Sequence, residues 1–171
     1  MNKIILLGYM GSGKSVVAEL LARKIGFPFK DLDEIIEWHE NLPIKNIFEQ
    51  KGEIYFRKLE HTLFKELIFS SENFVLALGG GTPCYANNHK LLKGQGIASV
   101  YLKASLDELY GRLVKEKADR PLIAAMDEVE MKEFIAKHLF ERSYFYNQAG
   151  HVVTVDHKLP EEIVSEIESL I

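Results

Sequence analysis

The segment Gly8-Tyr-Met-Gly-Ser-Gly-Lys-Ser15 matches the pattern G-x-x-x-x-G-K-[ST]. Glycines let a backbone loop wrap a phosphate with its N–H groups, and a helix N-terminus adds positive potential. The lysine of this pattern reaches the β- and γ-phosphates of a nucleotide, and the serine after it binds Mg²⁺. A chance match somewhere in the chain has odds of about one in a hundred or lower. The predicted nucleotide-binding residues are Gly11, Ser12, Gly13, Lys14, Ser15 and Val16, with Lys14 also catalytic.

Two carboxylates follow the second predicted strand, in Asp31-Leu32-Asp33. Ligands of α/β proteins bind at the carboxyl ends of strands, and alternation along an extended chain puts Asp31 and Asp33 on the same side. Such a pair suits phosphoryl transfer, with one carboxylate near a metal ion and the other accepting a hydroxyl proton. The alternative is an ordinary helix N-cap at Asp33 beside a solvated Asp31.

Two further features provide groups for an anionic ligand. Gly79, Gly80 and Gly81 close the third predicted strand, where glycines expose backbone N–H groups and let a ligand approach closely. Arg57 and Glu60 are three residues apart on a predicted helix, so Glu60 can hold the guanidinium in place. The alternatives are a flexible turn for the glycines and a solvated pair for Arg57 and Glu60.

Two more arginines lie in the second half of the chain. Arg120 precedes Pro121 in an irregular segment at 116–126, and Arg142 belongs to a long predicted helix at 127–148. A mobile arginine loop can close over the transferred phosphoryl group and exclude water. As isolated residues, both arginines would more often be ordinary surface side chains.

Short apolar runs alternate with helical segments along the whole chain, and this order indicates how the sites are positioned. Ile4–Leu7 and Phe74–Leu78 are continuously apolar, as in strands buried on both faces. The alternation predicts one α/β domain over residues 1–171, with a parallel sheet covered by helices on both faces. The predicted strands are 4–7, 29–32, 74–78, 97–102 and 152–155, and the predicted helices are 16–25, 33–39, 44–51, 53–69, 87–93, 106–114, 127–148 and one beginning at Pro160.

Composition excludes several classes of function. Twenty-one basic against 25 acidic residues leave a net charge of -4, which argues against a nucleic-acid or membrane-surface binder. The single cysteine, Cys84, fits a reducing, cytoplasmic location, and neither it nor the six histidines shows metal-ligand spacing. The apolar run ending at Leu7 is too short for an export signal. We expect a monomer without nucleic-acid or membrane partners.

Taken together, these motifs resemble the shikimate kinase family along almost the whole chain. The resemblance includes the P-loop, the Asp31–Asp33 motif, a GE-x-x-FR-x-x-E pattern from Gly52 to Glu60, the triple glycine, the Arg120-Pro121-Leu122 triplet and Arg142. It implies phosphorylation of the 3-hydroxyl of shikimate by ATP with Mg²⁺, in the pathway to chorismate and the aromatic amino acids. It also implies a three-layer P-loop kinase fold like that of nucleoside monophosphate kinases, with a five-stranded parallel sheet in the order 2-3-1-4-5. The acceptor-binding region would cover about 33–60 and a mobile lid about 115–127.

The resemblance also implies roles at the nucleotide end of the site. Ser15 would ligate Mg²⁺ directly, and Asp31 would hold it through water. Arg112 would lie against the adenine, with residues 158–160 bordering the same pocket. Arg120 would come from the lid to the phosphates and take part in catalysis.

At the acceptor end, the resemblance makes Asp33 the group that binds the substrate hydroxyls and acts as base. Arg57 and Arg142 would clamp the carboxylate of shikimate, and residues 79–81 would supply backbone donors. Paired arginines are the natural partners of a carboxylate on a small anionic polyol. The predicted apolar walls of this pocket are Phe48 and Phe56.

Two positions depart from the family pattern. Leu78 stands before the triple glycine, where the family usually has Thr, and removes a hydroxyl near the phosphates. Tyr144 stands two residues after Arg142, where the family usually has Pro. The first departure bears on ATP or metal geometry, and the second on the placement of Arg142.

Two other functions share part of these signals. A kinase for gluconate or a nucleoside monophosphate would have the same fold and ATP site, but it would not explain Arg57, Glu60 and the triple glycine together. A guanine-specific switch would carry N-K-x-D on a late strand. Here Asn2-Lys3 is followed by Ile4-Ile5 on the first predicted strand, so that signal is missing.

Overall fold

A computed structural model describes residues 3–119 and 122–171. Its five strands form one parallel sheet in the order β2-β3-β1-β4-β5, which confirms the predicted order. Every residue of β1 and β3 is buried, as expected for parallel strands that are covered on both faces. The strands are β1 (Lys3–Leu7), β2 (Phe29–Asp31), β3 (Phe74–Ala77), β4 (Ile97–Lys103) and β5 (His151–Thr154).

Helices surround this sheet and join its strands. Helix α1 packs against α6, α2 against α3, and α4 against α5. Three short 3₁₀ helices at Thr82–Cys84, Asn88–Leu92 and Val114–Asp119 complete the elements of the described residues. The α-helices are α1 (Lys14–Ile25), α2 (Leu32–Glu40), α3 (Ile44–Phe69), α4 (Leu106–Leu113), α5 (Glu128–Tyr146) and α6 (Pro160–Leu170).

The register of the central strands explains why distant motifs meet. Asp31 of β2 and Leu6 of β1 both pair with Ala77 of β3. The chain therefore leaves all three strands at the same edge of the sheet. The P-loop, the pair of aspartates and the triple glycine all begin at that edge.

Two features of the helices have local causes in the sequence, a kink in α3 and the start of α5. Helix α3 consists of two helical stretches joined at a kink. The kink lies at Gly52, which has the non-helical angles φ 83° and ψ 169° and is where the sequence predicted a break. Helix α5 begins after Asp127, which forms a capping box with Glu130 through two hydrogen bonds of 2.9 Å. This reciprocal pairing satisfies two N–H groups at the start of the helix.

Some predicted elements differ from the structure. The predicted helix at 87–93 is a short 3₁₀ helix at Asn88–Leu92, and the predicted irregular segment 116–126 begins with 3₁₀ turns up to Asp119. Arg120 and Pro121 lie outside the described residues, so the predicted lid is described only on either side of them. Within the described ranges, no helix has both the length and the apolar character needed to cross a membrane.

Candidate active site

The P-loop connects β1 to α1 and packs tightly against the end of the sheet. A side chain at Gly8 would bring its Cβ to 2.7 Å from the carbonyl oxygen of Leu102, so no larger residue fits there. Gly13 has a φ of 90° immediately before the first turn of α1, a conformation that glycine adopts without steric cost. The loop therefore presents its N–H groups at a helix N-terminus, where anions bind.

The two side chains that end the P-loop face a common cavity. Lys14 donates a hydrogen bond of 2.9 Å from Nζ to the carbonyl oxygen of Tyr9. Ser15 donates one of 2.8 Å from Oγ to Oδ2 of Asp31. The cavity has a volume of about 640 Å³ and is lined by Lys14, Ser15, Asp31 and Asp33. It places a cation, a hydroxyl and two carboxylates around one space.

The two aspartates reach this cavity from different elements. Asp31 ends β2 and caps α2, since its Oδ1 accepts a hydrogen bond of 2.9 Å from the backbone N–H of Asp33. Asp33 is the second residue of α2, so the prediction that both lie on one side of a strand was wrong. The alternative of an N-cap at Asp33 was also wrong, because Asp31 is the cap. The chain turns from strand to helix between them and still brings both into the cavity.

Asp33 is electrostatically unlike an ordinary surface carboxyl. Its pKa is raised to about 6, chiefly by burial and also by the negative charges of Asp31 and Glu60, while Lys14 acts in the opposite direction. A carboxyl with a pKa near the working pH is suited to exchange a proton with a substrate hydroxyl.

Ser15 and Asp31 provide the oxygen atoms on which a magnesium site would depend. Among residues 3–119 and 122–171, no group of three or more His, Cys, Asp or Glu side chains is arranged to hold a metal ion. Mg²⁺ usually keeps several waters and takes only one or two protein carboxylates together with substrate phosphates. A hydroxyl 2.8 Å from a carboxylate beside a phosphate-binding loop fits that donor set.

Arg57 is fixed beside the triple glycine. Its Nη1 donates a hydrogen bond of 2.8 Å to Oε1 of Glu60, and Glu60 is only 1% exposed. A Cβ placed on Gly81 would lie 2.7 Å from Nη2 of Arg57, so the guanidinium lies directly against this glycine. Glu60 therefore holds a partly buried Arg57, with 18% of its side chain exposed, as the first of the two interpretations predicted.

Arg142 approaches the triple glycine from α5. A Cβ on Gly80 would lie 3.4 Å from Nη1 of Arg142, and the guanidinium lies 5.7 Å from the ring centre of Tyr9. Tyr146, one turn further along α5, donates a hydrogen bond of 2.6 Å to the carbonyl oxygen of Gly80. Arg57 and Arg142 thus lie against adjacent glycines of one turn, as a clamp for a single anion requires.

Of the remaining predicted site residues, Arg112 lines the cavity, and the ring centre of Phe56 lies 5.1 Å from Cζ of Arg57. Phe48 and Phe56 pack with ring centres 4.5 Å apart. Arg112 donates hydrogen bonds of 3.3 Å to the carbonyl oxygens of Gly11 and Val155, and it lines the cavity together with Lys158 and Pro160.

Proteins that resemble this chain in both sequence and fold include several shikimate kinases. The family model for shikimate kinase matches residues 10–171. Shikimate kinase of Flavobacterium johnsoniae is 64% identical over 167 residues, which cover 98% of this chain and 97% of that protein. The chain belongs to the shikimate kinase family. The crystal structure of shikimate kinase from Bacteroides thetaiotaomicron superposes with a TM-score of 0.90 at 33% identity, covering 99% of this chain and 97% of the other. Shikimate kinase from Acinetobacter baumannii, solved in complex with shikimate, gives a TM-score of 0.87 at 31% identity, with 99% and 92% covered.

Membership of the shikimate kinase family makes the chain an enzyme that transfers a phosphoryl group, and the co-substrate of this family is ATP. The two departures from the family pattern have separate structural settings. Leu78 is buried and lines the cavity beside Gly79. Tyr144 is 64% exposed and contacts His89 and Phe145, on a helix that continues unbroken to Tyr146.

Sequence reasoning missed several residues that hold this family's site together. Thr82 donates a hydrogen bond of 2.7 Å to Glu60, and Tyr85 stacks on Arg57. The buried ring of Tyr9 carries a hydroxyl 3.0 Å from Nδ1 of His138 on α5. No motif or periodicity signals these contacts, because each partner is far away in the sequence.

Cys84 lies near the charges of Arg57 and Arg142. Burial raises the pKa of its thiol to about 11, even though the charges of Arg142 and Arg57 act to lower it. The raised pKa favours the protonated thiol at neutral pH, and the thiol is a weaker nucleophile than the thiolate.

Proposed function

We propose that the chain transfers the γ-phosphoryl group of ATP to the 3-hydroxyl of shikimate. The observation that carries this proposal is one cavity that runs from the P-loop past Asp33 to Gly79 and Gly80, with Arg142 against Gly80 and Arg57 against the next glycine, Gly81. The cavity offers a phosphate site and a proton acceptor, and the two arginines beside its glycines offer a carboxylate clamp. The relative from Acinetobacter baumannii, solved with shikimate, supports the same acceptor.

At the nucleotide end, the backbone N–H groups of Gly11–Val16 bind the phosphates, and Lys14 neutralises charge on the β- and γ-phosphates. Ser15 and Asp31 hold Mg²⁺, which when bound neutralises charge on the nucleotide phosphates. Arg112 borders the adenine. Its three hydrogen bonds, to Glu108 and to the carbonyl oxygens of Gly11 and Val155, fix its guanidinium before the nucleotide arrives.

At the acceptor end, Asp33 accepts the proton of the attacking hydroxyl. Its pKa of about 6 leaves it mostly ionised at neutral pH, while keeping it basic enough to bind that proton in the transition state. Arg57 and Arg142 bind the carboxylate, and residues 79–81 donate backbone N–H groups to the ring oxygens. Phe48 and Phe56 support the apolar face of the ring.

The last catalytic role belongs to Arg120, which lies outside the described residues. We place it in a lid at about 115–127 that carries its charge to the transferred phosphoryl group. We further propose a single domain over 1–171 that acts as a monomer on small molecules in the cytoplasm, where ATP is available and Cys84 stays reduced.

The test is ATP consumption with shikimate, with shikimate methyl ester and without an acceptor. We expect turnover with the acid alone, because the ester keeps every hydroxyl but loses the anion.

Losing one partner of a desolvated charge pair costs about 2–5 kcal/mol, so Arg57→Ala raises the Kd for shikimate at least tenfold and leaves ATP binding unchanged. Arg57→Lys recovers only part of the loss, since an ammonium group cannot form a bidentate pair. Equal turnover of ester and acid would refute the carboxylate clamp.

A further inference from the structure

Glu60 is not the only residue that holds Arg57. Tyr85 lies on the other side of the guanidinium, with the centre of its ring 4.0 Å from Cζ. The Nε of Arg57 is buried and has no hydrogen-bond partner among the described residues. The hydrogen-bonded ion pair with Glu60 and the longer ion pair of Nε with Glu53, at 3.9 Å, do not fix the plane of the guanidinium. A flat surface such as the Tyr85 ring does.

Thr82 in turn orients Glu60, the ion-pair partner of Arg57. Its hydroxyl donates a hydrogen bond of 2.7 Å to Oε2 of Glu60, while Oε1 of the same carboxylate accepts from Arg57. Thr82 and Glu60 are both buried. With each oxygen engaged, the carboxylate has one orientation toward Arg57.

The backbone that carries Thr82 and Tyr85 is itself anchored to α3. The buried side chain of Asn88 donates a hydrogen bond of 2.9 Å to the carbonyl oxygen of Thr82, and its Oδ1 lies 2.6 Å from Nδ1 of His61. Ala86 and Asn87 follow with φ angles of 50° and 57°, which reverse the chain sharply after Tyr85. Residues 82–88 thus form a fixed support beside the arginine rather than a loose loop.

We propose that Thr82 and Tyr85 are positioning residues that set the direction of the Arg57 guanidinium toward the acceptor carboxylate. Tyr85 acts on the guanidinium directly by stacking, and Thr82 acts on it through Glu60. The inference rests on the proposed function, since it concerns how the same clamp binds its anion. It predicts that both residues control acceptor binding while leaving ATP binding and the transfer step unchanged.

The first experiment compares Tyr85→Leu with Tyr85→Phe by steady-state kinetics. A cation–π contact of this kind corresponds to about a 3- to 10-fold change in binding, so Tyr85→Leu raises the KM for shikimate by that factor. The kcat and the KM for ATP stay within about twofold. Tyr85→Phe keeps the ring and stays close to the wild type. A rise in KM for Tyr85→Phe equal to that of Tyr85→Leu would overturn the stacking role.

Tyr55→Leu is the matched control. Tyr55 is 39% exposed against 37% for Tyr85, and its ring also faces a cation, with Nζ of Lys51 at 4.7 Å. It contacts Glu40 and Lys51 rather than the clamp, so its loss leaves the KM for shikimate unchanged. An equal rise in KM in Tyr55→Leu would mean that the Tyr85 effect is unspecific.

The decisive measurement is a double-mutant cycle with Arg57→Ala. If Tyr85 acts through Arg57, Tyr85→Leu adds nothing to the KM for shikimate once the arginine is gone. An undiminished rise in the Arg57→Ala background would overturn the inference, even though the wild type still phosphorylates shikimate. Absence of shikimate-dependent ATP consumption in the wild type would instead refute the proposed function.

The experiment on Thr82 compares two variants. Thr82→Val keeps the shape of the side chain, and Thr82→Ser keeps its hydroxyl. Thr82→Val leaves one oxygen of Glu60 without its donor and raises the KM for shikimate. Thr82→Ser keeps the donor and the wild-type KM. An unchanged KM in a folded Thr82→Val variant would remove Thr82 from the proposal. If Thr82→Val does not fold, Thr82→Ala, which also lacks the hydroxyl but is smaller, takes its place, and an unchanged KM in that variant likewise removes Thr82 from the proposal.

Discussion

Asp33 is the residue whose chemistry is most open to a direct test. Burial and the charges of Asp31 and Glu60 raise its pKa to about 6, and only the ionised form accepts a proton. The kcat should therefore fall about tenfold per pH unit below pH 6 and level off above it. Asp33→Asn should reduce kcat by about 10²–10⁴-fold, with ATP binding unchanged, as measured by steady-state kinetics and calorimetry between pH 5 and 8.

The pH profile of the residual activity identifies the group responsible. The nucleotide phosphates also titrate near neutrality, so a step near pH 6 in the wild type is not sufficient on its own. In Asp33→Asn that step should vanish. If it persists, the titration belongs to the nucleotide, and Asp33 positions the hydroxyl instead of accepting its proton.

How well single residues could be predicted depends on how local their partners are. Lys14 and Ser15 belong to one contiguous motif, which indicated both directly. Glu60 lies one helical turn from Arg57, so spacing allowed their contact but left a solvated pair open as well. Thr82 and Tyr85 contact α3 only because the sheet returns the chain past it. Such contacts depend on the tertiary fold and carry no local pattern.

At the scale of elements, the glycine turn after β3 works by letting side chains approach its backbone. Gly81→Ala would place a Cβ 2.7 Å from Nη2 of Arg57 and push the guanidinium out of position. Because the displaced atom ends a flexible side chain, the fold should survive while the KM for shikimate rises about tenfold or more. Thermal unfolding and steady-state kinetics measure the two effects separately.

Gly111→Ala provides the control on a helix. A Cβ at Gly111 meets nothing within 4 Å, and alanine is favoured over glycine inside a helix by about 1 kcal/mol. This variant should be slightly more stable than the wild type, with an unchanged KM for shikimate. A Gly81→Ala variant with wild-type kinetics would show that the arginine does not need the space above this glycine.

Element boundaries were less predictable than the elements themselves. Continuous apolar runs identified β1 and β3 because strands covered on both faces have no polar side to interrupt them. The end of β2 was placed one residue too late, since Leu32 is apolar and buried in either a strand or a helix. The capping hydrogen bond from the backbone N–H of Asp33 to Asp31 decides in favour of the helix.

At the scale of the whole molecule, strand order is what assembles the site. Parallel strands β2, β3 and β1 are neighbours and end in register, so three motifs separated by long stretches of sequence meet at one edge. Hydrophobic patterns indicated the strands but not their neighbours, and the order 2-3-1-4-5 came from the family resemblance. The polar site at this edge holds several carboxylates close together, and the charges of Asp31 and Glu60 contribute, after burial, to the raised pKa of Asp33.

Asp33 should make the folded protein less stable at neutral pH. Its pKa is about 6 in the folded state against 3.8 as the ordinary value, so between these values the native state binds more protons than the unfolded state. The free energy of unfolding therefore falls as the pH rises from about 4 to about 6, and the loss is complete above pH 6. By 1.36 kcal/mol per pKa unit, this loss reaches up to about 3 kcal/mol.

Asp33→Asn should remove this penalty together with the activity. Urea unfolding at pH 7.5 should show the variant more stable than the wild type by up to about 3 kcal/mol, with the difference closing toward pH 4. Glu34→Gln, an exposed neighbour on α2, should show no comparable gain. A variant that is less stable than the wild type at pH 7.5, or a gain that does not depend on pH, would contradict the raised pKa. A pH-dependent gain would instead mean that the fold holds this carboxylate against its own stability, as active sites often do when function requires a strained group.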